Sequence, residues 1–223
     1  MFGEAFALVL HAWTEPETFG WEGRNYRFRT ISAFPRPVQQ PHPPIVSSAQ
    51  TAEAATWIGS EGHMLGIFAP TVAPVRAAEV VSAYNAARDA AGNPAGADEV
   101  LYRARVYVAE TDAQAKADVA EHDIGNMGRT LAPSQQRAKA AASVSAALFG
   151  GPPADAGHAR ERSNSEPEFH GSPESVIAQI RESTATIGWG FLDAIFTAPG
   201  LPFEKARRSL ELFGTEVLPQ LTR

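Results

Sequence analysis

Five consecutive residues, Ser47-Ser48-Ala49-Gln50-Thr51, are the best candidates for binding chemistry in this sequence. They follow a short apolar run and precede a helical pattern, so hydroxyl and amide groups gather where a strand hands over to a helix. A helix start has N–H groups without a carbonyl partner one turn earlier, and it carries the positive end of the aligned peptide dipoles. Both suit a phosphate. Thr51 equally has the residue type of an ordinary N-cap, whose hydroxyl only closes the first turn. Glu53, in that first turn, is a mild departure from an ideal anion site. Ser172-Pro173-Glu174-Ser175 repeats the same grammar with proline at the first helical position, and reads first as a plain helix start, with a second phosphate contact as the alternative.

The remaining polar residues form no pattern of comparable strength. His42 sits in a proline-rich stretch, where it either packs or faces a pocket. His11, His63, His122, His158 and His170 share no metal-ligand spacing, so no metal is expected. Phe196-Thr197-Ala198-Pro199 follows an apolar strand and is expected to line a pocket or simply to form a loop. Arg160 and Arg162 are the cations of a Gly/Pro/Ser-rich stretch and are not distinguishable from solvated charges. Gly150-Gly151-Pro152 follows a helix rather than a strand, which is wrong for a dinucleotide fingerprint. No Ser-His-Asp spacing is present, and the catalytic residues stay unassigned.

The elements that would position these groups show a strand–helix rhythm. Residues 2 to 13 read as a helix, with Phe2, Phe6, Val9, Leu10 and Trp13 at three- and four-residue steps. Phe19 to Phe34 is hairpin-like around Glu22-Gly23-Arg24-Asn25. Pro35 to Pro44 carries five prolines in ten residues and must be extended. Strands are then expected at Ile45–Ser48, Met64–Phe68, Leu101–Val108 and Phe191–Phe196. The helices begin at Thr51 and near Pro74 (with Val75, Val80, Val81 and Tyr84 on one face), at the Thr111-Asp112-Ala113-Gln114 capping box, at Ser172 and near Pro202, the last running to about Val217. The stretch from 123 to 170 breaks the rhythm: an alanine-rich helix is expected over Pro133–Phe149, then a mobile insertion or lid from Gly150 to Glu168. Strands alternating with helices imply a parallel sheet. Four strands are half of what a closed (β/α)8 barrel needs. The chain is therefore either a barrel entered partway, which the abrupt helical start favours, or an open sheet in its own right.

Composition narrows the function classes. The chain has 223 residues, 44% of them hydrophobic, which suffices for a substantial core. No run reaches the roughly 18 apolar residues of a membrane span, and no signal peptide opens the chain. The net charge is −6 with scattered basic residues, which argues against nucleic-acid binding. There is no cysteine, hence no disulfide or thiolate chemistry, and a cytoplasmic location is expected.

Four ordered stretches resemble the bacterial-luciferase-like flavin-dependent monooxygenase family. They are Trp13-Thr14-Glu15-Pro16 with Phe19, Glu22-Gly23 and the Pro35-to-Ile45 run; Thr51-Ala52-Glu53-Ala54 with Trp57 and Gly62; Gly171-Ser172-Pro173-Glu174-Ser175-Val176 with Ile180; and Pro199-Gly200-Leu201-Pro202 with Ser209-Leu210, Leu212-Phe213 and Glu216-Val217-Leu218-Pro219. The resemblance implies an α/β fold of the (β/α)8 TIM-barrel type, with residues 1–223 as its C-terminal half. It implies reduced FMN, or a deazaflavin in its place, as cofactor, with O2 and a small organic substrate. Thr51 matches the family position that contacts the FMN phosphate; Gln50 just before it and Ser48 are expected beside it. A homodimer and a flavin reductase supplying the reduced cofactor are the expected partners. The competing reading is a truncated, non-catalytic flavin-binding fragment.

Overall fold

The computed structural model describes residues 2–124 and 166–221. The Pro133–Phe149 helix and most of the Gly150–Glu168 insertion, with His158, Arg160 and Arg162, lie outside the described residues. Two compact units emerge, Met1–Ile45 and Val46–Arg223.

The first unit joins helix α1 (Phe2–Thr14) to a hairpin of β1 (Phe19–Glu22) and β2 (Arg27–Ile31), as the aromatic spacing led one to expect. The strands are antiparallel, with Trp21 opposite Phe28 and Glu22 opposite Arg27. Glu4 of α1 ties the unit together: its carboxylate accepts the backbone N–H groups of Asn25 (2.9 Å) and Tyr26 (3.1 Å) at the hairpin turn. The proline-rich stretch returns to the helix end, where the Arg36 guanidinium donates to the carbonyls of Glu15 and Pro16. His42 is half-buried, with Nδ1 2.8 Å from the Pro43 carbonyl and its ring 6.3 Å from that of Trp13. It serves the packing of this unit.

The second unit is a parallel sheet covered on one face by helices. Its strands are β3 (Val46–Ser48), β4 (Met64–Phe68), β5 (Val100–Val108), β6 (Phe169–Gly171) and β7 (Phe191–Ile195). The helices are α2 (Ala52–Ser60), α3 (Pro74–Ala90), α4 (Asp112–His122), α5 (Pro173–Ile187), α6 (Phe203–Leu212) and the short α7 (Leu218–Leu221). The first half of β5 lies between β4 and β7, so that Leu101 has Gly66 on one side and Phe191 on the other. The last residues of β5 pair with β6 instead, with Val106 opposite Phe169. Strand β6 is an addition to the four strands legible in the sequence. At three residues, with an apolar Phe169 and no alternating pattern, it has no periodicity to betray it.

Alternation along β5 divides its side chains between two faces. Val100, Tyr102, Ala104 and Val106 point to the helices and join Leu65, Ile67, Ile58, Val80, Tyr84, Val176 and Val217 in one core. Tyr102 stacks on Trp189 with ring centroids 5.1 Å apart, and burial pushes its hydroxyl pKa up to about 12. In α3 the buried face is Ala77, Val80, Val81, Tyr84 and Arg88; Val75 is exposed, contrary to the face expected from sequence. Five residues at about 100° each put Val75 well round the helix from Val80, so its apolar character does not make it a core residue. The last helix also differs from a single run to Val217: α6 ends at Leu212, and residues Phe213–Val217 form a π-helical turn before α7.

Candidate functional site

The other sheet face carries Val46 and Ser48 on β3, Gly66 and Phe68 on β4, Leu101, Arg103 and Arg105 on β5, and Asp193 and Ile195 on β7. With Gln50, Thr197, Ala198 and Pro199 these residues line a cavity of about 810 Å³. Its lining takes in the C-terminal ends of β3, β4 and β7 and the loops after β3 and β7, the end where parallel α/β folds place their ligands. Gly66 matters to its shape: a Cβ there would lie 3.2 Å from both Ser48 Oγ and Val46 Cγ1. A side chain at this position would crowd the wall formed by Ser48.

Of the three expected site residues, Ser48 and Gln50 reach this cavity and Thr51 stands beside it as the N-cap of α2. Thr51 Oγ1 accepts the Ala54 N–H at 3.2 Å, so its capping role is real. Gln50 Nε2 donates to Thr71 Oγ1 at 3.0 Å, tying the end of β3 to the turn after β4. Ser48, Gln50 and Thr51 are all exposed. Hydroxyls, a side-chain amide and the unmatched N–H groups of Ala52 and Glu53 make a donor set that fits a phosphate.

The start of α5 shows the contrast. Its N-cap Ser172 and first turn are met by the Asp112 carboxylate, which accepts from the Ser172 N–H (2.6 Å) and the Ser175 hydroxyl (2.9 Å). Those hydrogen bonds, the Ser172 N–H first, hold Asp112 below the usual carboxylate range. Gly171, at φ +144°, must lack a side chain here, because a Cβ would sit 2.7 Å from Asp112 Oδ1. The second helix start with phosphate-like grammar is therefore closed by the protein's own anion. Among the described residues, no carboxylate plays that part at α2.

Thr197, Ala198 and Pro199 line the cavity as expected, whereas Phe196 turns to the core and meets the Phe213 ring edge-on at 5.2 Å. Two charged pairs were not singled out from sequence. Arg105 is buried and bound to Glu168, which takes its Nη2 (2.7 Å), Nε (3.0 Å) and backbone N–H (2.8 Å). Arg103 faces Asp193 through Nε at 3.3 Å. The signal was present, since arginines at alternate positions of a strand share a face, but the apolar residues between them dominated the reading. A further cluster joins α4 to α6: Asp118 accepts from the Tyr107 hydroxyl at 2.8 Å and from the Lys205 ammonium. Burial works against the Asp118 charge, but Lys205 and Tyr107 outweigh it and hold the group ionised. Asp118, Glu121 and His122 have ligand atoms within 4.8 Å of one another, yet the Lys205 ammonium already supplies the positive charge there.

The family model for luciferase-like monooxygenases matches residues 1–189. The chain belongs to that family. Its fold is that of part of a (β/α)8 barrel, as the solved structures it resembles make clear. It superimposes on monooxygenase RslO1 from Streptomyces bottropensis with a TM-score of 0.71 at 22% identity, covering 98% of this chain and 60% of that one. The oxygenating constituent of 3,6-diketocamphane monooxygenase from Pseudomonas putida, solved in complex with FMN, gives 0.67 at 20% identity, over 98% and 62%. The coenzyme F420 dependent tetrahydromethanopterin reductase from Methanopyrus kandleri gives 0.62 at 17%, over 99% and 62%. This luciferase-like chain thus spans about three fifths of the length of those structures. No curated protein sequence matches it. Among the described residues, no helix is long and apolar enough to cross a membrane.

Proposed function

We propose that the chain carries the phosphate end of a flavin site in a luciferase-like oxidoreductase that acts on a small organic substrate. The observation that supports this most is the junction of β3 and α2, where Ser48, Gln50 and Thr51 bring donors to a helix start whose first N–H groups no carboxylate from another element occupies among the described residues. When bound, reduced FMN, or a deazaflavin such as the F420 named for the reductase above, would supply the redox chemistry, with O2 as co-substrate in the FMN case. The chain's own residues would bind and orient: Thr51 and the first N–H groups of α2 hold the phosphate, and Gln50, braced by Thr71, fixes the loop around it. Phe68, Leu101 and Ile195 would keep the neighbouring wall apolar and limit water. A homodimer, and a reductase delivering reduced flavin in the cytoplasm, complete the reading.

The test is uptake of FMN by the purified chain, followed by flavin fluorescence and compared with riboflavin, which lacks the phosphate. FMN should bind at least about tenfold tighter than riboflavin, as charge-assisted hydrogen bonds are worth, and Thr51→Val should erase the difference. Equal binding of the two, or none of either, overturns the reading.

A further inference from the structure

The unit Val46–Arg223 holds four parallel strands in the order β3-β4-β5-β7, with β6 paired to the end of β5. Among the described residues β3 pairs only with β4, and β7 only with β5, so both ends of that order are open edges. An open edge is a template for another strand. The exposed apolar residues gather at these edges. Of the large ones left exposed in this unit, all but Val75 lie there: Val46 on β3, Phe191 on β7, and Phe203, Leu210 and Leu218 on the helices that follow β7. Phe191 is 50% exposed and Phe203, at the start of α6, 75%.

Strand number, strand direction and charge point to a second copy of this chain as the cover. A closed (β/α)8 barrel has eight parallel strands. A two-fold axis that sets β7 of one protomer beside β3 of its partner does so twice, and four strands from each copy then make a ring of eight with no edge. Such closure also brings α2 of one protomer beside α6 of the other. Residues 52–62, which contain α2, carry Glu53 and Glu61 and no cation, whereas α6 carries Lys205, Arg207 and Arg208 against Glu204 and Glu211. Arg207 stands between Phe203 and Leu210 at four- and three-residue steps, on one side of the helix. It is half-exposed, and its partners Glu204 and Glu211 are on α6 itself. The two stretches, residues 46–60 and 191–212, are long enough to supply the roughly 20–30 residues a side that a stable interface takes.

We propose that two copies of this chain close one eight-stranded barrel, with β7 and α6 of each protomer docked on β3 and α2 of its partner. The cavity of about 810 Å³ on the open sheet face would then be walled by both copies, so that neither holds a complete site alone. This deepens the homodimer of the reading above and rests on that part of it, not on the flavin.

The test exploits the absence of cysteine from the chain. Within one protomer β3 and β7 are three strand spacings of about 4.8 Å apart, and a disulfide needs Cα atoms within about 7 Å. Cysteines on these two strands therefore bridge only between copies. Double variants of the full chain, Val46→Cys with Phe191→Cys, with Asp193→Cys or with Ile195→Cys, sample the register. On mild oxidation at least one should give a covalent dimer in high yield. Each single variant should stay uncrosslinked, because like strands sit on opposite sides of the ring. The parent chain should sediment as a dimer, and Arg207→Glu, which sets acid against acid, should weaken it at least about tenfold. Should Arg207→Glu fail to fold, the cysteine pairs decide. A monomeric parent chain, a dimer that no cysteine pair traps, or single variants that crosslink as readily as the pairs overturns the proposal. So does a folded Arg207→Glu that dimerises as tightly as the parent. FMN uptake by the same samples keeps the two readings apart. A trapped dimer that binds no FMN defeats the flavin reading alone, and a monomer that binds FMN defeats the closed barrel alone.

Discussion

The Asp112 carboxylate lies 2.6 Å from the Ser172 backbone nitrogen, although the two residues are sixty positions apart. One side chain in the first turn of α4 thereby serves the start of α5. Asp112 thus fills the first turn of α5, whereas among the described residues no carboxylate from another element does so at α2.

The Asp112 contact with Ser172 should respond to acid in a definite direction. Hydrogen bonding lowers the Asp112 pKa in the folded chain. Its contribution is therefore present above the unfolded value, near 4, and is lost as pH falls through the lower folded value. Asp112→Ala should lower the denaturation midpoint at pH 7 and narrow its difference from the parent chain as pH drops toward 3. A constant difference across that range would contradict the assignment.

Ser209 is fully buried on α6, and its hydroxyl oxygen accepts the Val108 N–H at 2.8 Å. Ser209→Ala leaves that N–H without an acceptor in the core. The cost expected is about 1–3 kcal/mol, measured by urea denaturation. A loss within the error of the measurement would show that the strand end rearranges to find another partner.

Breaking the Arg105–Glu168 pair from one side should be expensive. Arg105→Met or Glu168→Leu alone strands a buried charge and should cost about 3–5 kcal/mol. The double variant, with neither charge, should recover much of that loss, and a thermodynamic cycle over the three variants measures the coupling. Equal, additive losses would mean that the pair is solvated rather than buried.

Thr51 has a stabilising role separable from any ligand. Thr51→Ala removes the cap on the Ala54 N–H and should cost about 1 kcal/mol, whereas Thr51→Ser should keep both the cap and any preference for FMN over riboflavin. Thermal unfolding without flavin checks the first statement, and fluorescence titration the second.

Much of this fold is legible in the chain. The 3.6-residue and two-residue apolar periods, the caps at Thr51, Thr111 and Ser172, and the aromatic spacing of the hairpin are local physics, and local physics is written in neighbouring residues. So is the junction at Ser48, Gln50 and Thr51, because strand end, cap and helix start are contiguous. What the chain could not disclose alone was long-range satisfaction of charge and hydrogen bonds. Only folding brings Asp112 to α5, Glu168 to Arg105, Ser209 to Val108 and Asp193 to Arg103. Each partner lies dozens of residues away, and nothing periodic announces it. Tertiary structure therefore decided which charges were paired in the interior and which helix start was met by a carboxylate from another element.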